Sequence, residues 1–166
     1  MKPSEPLFSI LTSWPTAKVI ELKTFLVLGL SVFGVFTSAA DHEVRMLNSG
    51  AEGFMVFEPA VVKAAVGDTV TFKATDMAHN SASIEGMIPE GANSWNGAMS
   101  QDVTVTVNKE GVYVYQCTPH SMMAMVGVIQ VGGSLSNMDS IQAKVASVKA
   151  GFVTNKERLD TYLGSL

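Results

Sequence analysis

The chain has 166 residues with 11 basic against 15 acidic side chains, a formal net charge of −4, and a single cysteine. The acidic balance argues against nucleic acid as a partner, and one cysteine excludes any internal disulfide.

An apolar run from Phe25 to Phe36 follows Lys18 and Lys23 and leads into Thr37-Ser38-Ala39-Ala40, whose small residues suit a signal peptidase. Residues 1–39 read as a secretory signal, cleaved near Ala39/Ala40. Twelve apolar residues fall short of the ~20 that cross a bilayer as a helix, so no permanent membrane anchor is expected. From Ala40 onward 8 basic residues face 13 acidic ones, a net charge of −5. The remaining length, about 127 residues, is enough for one domain with an ordinary core. Export would place the lone Cys117 in an oxidising compartment, where a free thiol is exposed to oxidation unless it is buried and inert or bound to a metal.

From Glu43 to Val131 the pattern is that of strands. Val44 and Met46 flank Arg45, and further β-prone runs follow at Val61-Val62, at Val66, and at Val70 and Phe72. Val103, Val105 and Val107 alternate with Thr104 and Thr106, Asn108-Lys109-Glu110-Gly111 makes a turn, and Val112-Tyr113-Val114-Tyr115 returns. This reads as a hairpin that delivers Cys117. Gly67-Asp68, Pro89-Glu90-Gly91 and Asn96-Gly97 punctuate the other runs, which points to a sandwich or a small barrel.

After Gly132-Gly133 the period changes. Ile141, Val145 and Val148 fall at helical spacing ahead of Gly151, which is placed to end a helix. Thr154 and Glu157 have capping-box spacing, and Leu159, Tyr162 and Leu163 supply an apolar stripe. Helices this short need a surface to cover, so the tail is expected to pack on the sandwich rather than on a membrane or partner.

The stretch Cys117-Thr118-Pro119-His120-Ser121-Met122-Met123-Ala124-Met125 places a thiol, an imidazole and a thioether on one loop between two strands. That soft-to-borderline set suits copper better than magnesium or calcium. A trigonal site needs a second imidazole. His79 lies 38 residues upstream in a connection after the Val70–Thr75 run, while the only other histidine past residue 40 is His42 at the start of the mature chain. A thiolate and two imidazoles hold both oxidation states of copper, and a weak axial thioether avoids strongly favouring either one. His42 alone makes a poor second site, so a copper enzyme with an open coordination position is disfavoured. Copper storage or delivery remains the alternative function.

Glu43-Val44-Arg45-Met46-Leu47-Asn48, Met55-Val56-Phe57-Glu58-Pro59-Ala60, Gly67-Asp68-Thr69-Val70, Gly86-Met87-Ile88-Pro89 and Cys117-Thr118-Pro119-His120 carry a resemblance to the cupredoxins, and within them to the pseudoazurin family. The resemblance implies an all-β Greek-key sandwich of about eight strands over residues 40–132, with two α-helices over 133–166 packed on it. It also implies a type 1 copper site whose ligands are His79, Cys117, His120 and Met125, with Asn80 tying the two ligand loops together. The implied role is one-electron transfer in the periplasm by a monomer, from a cytochrome or other donor to a denitrification reductase such as a copper nitrite reductase. Electrons would leave by the solvent edge of His120, within a rim that includes Pro119 and Met123. The chain departs from the family in two ways. Lysines ring the metal in the family, whereas here four basic residues (Arg45, Lys63, Lys73, Lys109) face ten acidic ones between positions 40 and 132, and Glu85 lies in the segment Ser83–Met87. This implies either a basic acceptor or docking led by apolar contacts. Met122 also stands where the family often has glycine.

Overall fold

A computed structural model describes residues 38–166; apart from Ser38 and Ala39, the leader expected over 1–39 lies outside the described residues. The chain forms eight strands, some alternating between buried and exposed side chains and others buried on both faces: β1 (Asp41–Gly50), β2 (Gly53–Glu58), β3 (Val61–Ala64), β4 (Thr69–Lys73), β5 (Ala82–Ser83), β6 (Val103–Thr106), β7 (Gly111–Gln116) and β8 (Val126–Val131). They form two four-stranded sheets, ordered β2-β1-β4-β6 and β3-β8-β7-β5. Both sheets are mixed, since β1 runs parallel to β4 and β3 parallel to β8 while the other pairs are antiparallel. The chain is thus a sandwich, not a barrel.

The period of two decides what each strand gives to each face. On β7, Tyr113 and Tyr115 point between the sheets, where Val44, Met46, Phe57, Val70, Phe72 and Ile129 also lie. Continuing that alternation, Cys117 faces the same core. Val112 and Val114 point the other way and join Val126, Val128, Ile141, Val145, Leu159 and Leu163 in a second core under two helices. Strand β7 is therefore buried on both faces, which explains its near-continuous apolar run. The outer face of the other sheet shows Glu43, Arg45, Thr104 and Thr106 to solvent.

The hairpin expected between the Val103–Val107 run and Val112–Tyr115 does not form. Strand β6 pairs with β4 and β7 pairs with β8 and β5, so Asn108–Gly111 crosses from one sheet to the other. Tyr113 fixes that corner: its hydroxyl donates to Lys109 O at 2.9 Å and accepts from Lys109 N–H at 3.1 Å. Alternation and turn residues look alike whether two strands pair or merely face each other across a core, so sequence pattern could not separate the two cases.

Helix α1 (Met138–Ala150) covers the second core with Ile141 and Val145. Asn137 precedes it, and its side chain bonds both the N–H and the C=O of Val112 at 2.8 Å, as a neighbouring strand would. Gly151 does end the helix, but with φ −79°, so no left-handed cap is present. Helix α2 (Arg158–Leu163) starts later than Thr154 would place it, and no side-chain cap forms. Asn155 takes φ 52° and breaks the run, while the N–H groups of Val153 and Thr154 turn to Met122 O at 2.7 and 3.4 Å. Lys149 bridges the helices through Asp160 and Glu157. No helix among the described residues is long and apolar enough to cross a membrane.

Candidate metal centre

Three donor atoms converge at one end of the sandwich. Cys117 is placed by the alternation of β7 and by its N–H, which donates to Met125 O at 2.9 Å. His120 follows in the turn ahead of a single 3-10 turn, Ser121–Met123. His79 arrives on the connection from β4 to β5 and is wholly buried. Its Nδ1 lies 3.6 Å from Cys117 Sγ and 3.0 Å from His120 Nδ1, and His120 Nδ1 lies 3.4 Å from Cys117 Sγ. A point equidistant from the three is about 1.9 Å from each, near the ~2.0–2.3 Å of a transition-metal bond to nitrogen or sulfur.

The surroundings prepare the donors. His79 Nε2 is 3.0 Å from Asn48 Oδ1, and an amide oxygen only accepts, so Nε2 carries the proton and the Nδ1 lone pair points at the other donors. That lone pair faces a thiol and a second imidazole, so it can accept a proton from either or share a cation with both. Burial, reinforced by the neighbouring His120, holds the His79 pKa below the usual histidine range, against the pull of Asp76. Burial pushes the Cys117 thiol up, opposed by the backbone N–H groups of Asn80 and His120. Both shifts favour neutral groups in the absence of metal, so binding must expel the thiol proton. Met125 is also wholly buried, in the same core cluster as Cys117.

The expected tie through Asn80 is present. Thr118 N–H donates to Asn80 Oδ1 at 2.8 Å, and Asn80 Nδ2 donates to Thr118 Oγ1 at 3.2 Å and to Gly97 O at 3.2 Å. One buried amide thus joins the His79 loop, the Cys117 loop and the 96–100 loop. His42 takes no part: it pairs with Asp68 at 2.9 Å. The residue of the ligand loop in left-handed backbone is Ala124, with φ 55°, so the demand for glycine falls there and not on Met122, whose side chain is exposed. Sequence reasoning gave no role to Asn48; a side chain that fixes a tautomer from another strand leaves no spacing signal.

Residues 44–132 match the family model for copper binding proteins of the plastocyanin/azurin family. The chain is 42% identical over 128 residues to a pseudoazurin of Paracoccus pantotrophus, covering 77% of this chain and 85% of that one. The chain belongs to the pseudoazurin family of cupredoxins. A pseudoazurin of Methylorubrum extorquens is 40% identical over 134 residues, with 80% and 87% covered. The crystal structure of native pseudoazurin from Hyphomicrobium denitrificans superposes with TM-score 0.68 at 38% identity, over 76% of this chain and 98% of that one. As a cupredoxin, the chain is a copper-binding electron-transfer protein and not an enzyme. The donor set fits copper: a thiol sulfur and two imidazole nitrogens surround one point at bonding radius, with a buried thioether in the adjoining core.

Proposed function

We propose that His79, Cys117, His120 and Met125 hold one copper ion and that the protein is a periplasmic one-electron carrier donating to a denitrification reductase such as a copper nitrite reductase. The observation that carries this reading is the closed triangle of Nδ1, Sγ and Nδ1 atoms set in apolar core. When bound, copper supplies a centre that cycles between Cu(II) and Cu(I). The protein fixes two imidazoles and a thiolate so that neither state demands rearrangement, keeps water from the buried side, and leaves His120 half-exposed as the path to a partner.

The surface around that exit favours apolar docking over a basic acceptor. Met77 (70% exposed), Met99 (48%), Met122 (58%) and Val153 (63%) all stand on loops that carry the donors or bond to a loop that does, and Pro119 is exposed beside His120. Ser100, next to Met99, links its loop to that of His79 by accepting from Ala78 N–H at 2.8 Å and donating its own N–H to His79 O at 2.7 Å. Methionines adapt to varied partner surfaces, and contact without facing charges gives an association rate that changes little with salt. Export follows from the leader read over 1–39, with cleavage near Ala39/Ala40.

The mature chain, loaded with Cu(II), should show an intense visible band that bleaches with ascorbate and returns with ferricyanide. Cys117→Ser should abolish both the band and firm copper retention, while Met125→Leu should keep copper and shift the potential. A protein that gives up its copper on reduction would instead be a storage or delivery protein. Rates of reduction of a copper nitrite reductase that fall steeply with ionic strength would refute the apolar docking mode.

A further inference from the structure

Three successive carbonyls of the ligand loop are each held by the stretch from Val153 to Arg158, the connection between the helices and the first residue of α2. Val153 N–H donates to Met122 O at 2.7 Å, Asn155 Nδ2 to Met123 O at 3.2 Å, and Arg158 Nη1 to Ala124 O at 3.1 Å. Arg158 is itself buried. Its remaining donors reach Met55 O at 2.9 Å, Glu52 O at 3.2 Å and Phe54 O at 3.3 Å. One planar guanidinium therefore braces the ligand loop against β2 and the turn before it, a geometry that a lysine ammonium does not reproduce. Ala124 sits at φ 55°, and a non-glycine residue persists there only where its surroundings over-determine it. The next residue is Met125, with its N–H on His120 O at 3.3 Å and its C=O accepting from Cys117 N–H.

We propose that residues 153–158 are a positioning clamp that sets the approach of the Met125 thioether to the metal, and through it the reduction potential. This rests on the reading of Met125 as the axial donor. An axial thioether bond is long and weak, so its length follows from where the loop is held more than from the bond itself. Cu(II) gains more than Cu(I) from a fourth donor. Loosening the clamp lets the thioether withdraw and raises the potential, the same sign as removing the thioether altogether.

Two variants separate this from ordinary stability. Asn155→Gly keeps the left-handed backbone and deletes only the side-chain donor, and Arg158→Lys keeps the charge and loses the fork. In the copper-loaded mature chain the potential is measured by spectroelectrochemical titration, together with visible and EPR spectra. In the metal-free chain, hydrogen exchange is followed at the Met125 and Val126 amides. Both variants should retain copper, exchange those amides faster, and raise the potential. For the double variant the equilibrium constant against a reference couple should change by up to about tenfold, or ~59 mV for one electron. Met125→Leu should move it further in the same direction. An unchanged potential in both clamp variants, whether or not their melting temperature falls, overturns the clamp if Met125→Leu still shifts the potential. If Met125→Leu shifts nothing either, the axial reading falls and the clamp with it.

Discussion

Tyr115→Phe should make the metal-free protein more stable. The Tyr115 hydroxyl is buried and has no hydrogen-bond partner among the described residues, and burial pushes its pKa far above the usual phenol range. A buried polar group left unpaired costs ~1–3 kcal/mol relative to water. The ring would stay in place, since it packs edge-on against Phe57 at 4.8 Å and Phe72 at 4.9 Å. Across the β7–β8 ladder it lies over Gly127, where an added Cβ would come 2.3 Å from the hydroxyl oxygen. Deleting the oxygen opens a void of roughly 12 Å³, which at ~24 cal/mol per Å³ costs about 0.3 kcal/mol. The net gain is about 0.7–2.7 kcal/mol, or a rise of ~3–10 °C in Tm for a domain of this size. Urea unfolding, followed by the fluorescence of Trp95, the lone tryptophan after residue 39, measures it without metal linkage. An unchanged or lower midpoint would show that the hydroxyl is paired in solution, and the argument from an orphaned donor would fail.

Two further expectations come from the hydrogen bonds. Asn80→Ala unties three loops at once and leaves Thr118 N–H without its acceptor; copper affinity should fall ~10–100-fold, as measured by competition with a chelator, and equal affinity would deny Asn80 its role. Asp68 accepts from His42, Ala65 N–H and Ala40 N–H, which hold its carboxyl down at about 2. Because the folded state binds that proton less readily than the unfolded chain, the stabilisation is present above ~pH 4 and is lost as pH falls towards 2. Asp68→Asn should therefore lose stability at pH 6 yet approach the parent at pH 2 in denaturant titrations. A constant difference across that range would contradict the shift.

The proposed ligand loop stands out because three donor types fall within nine residues, and the strand delivering Cys117 is readable from the β-prone run before it. His79 required the inference that a sandwich folds a distant connection onto that loop, which the geometry of 3.0–3.6 Å supports. The partner of β6 was misread because pairing depends on which sheet a strand joins, and Tyr113 settles that through a corner bond four residues back. The capping box at Thr154 and Glu157 does not form for a related reason: the Thr154 N–H that Glu157 would have capped turns to Met122 O instead. Arg158, to which the sequence assigns no role, is buried among four carbonyls, where a neighbouring surface cation would show the same local pattern. Nothing in local pattern distinguishes those two fates.

The split of the donors between one short loop and one distant connection also bears on folding. Cys117, His120 and Met125 remain neighbours along the chain when the domain is denatured, and unfolding separates only His79 from them. With the proposed ligands, an unfolded chain still chelates, and a metal that binds both states stabilises the native one only by the difference in affinity. Copper should raise the unfolding midpoint by less than its native affinity alone would give, and the closing of the β4–β5 connection over the loop is the step that earns the difference.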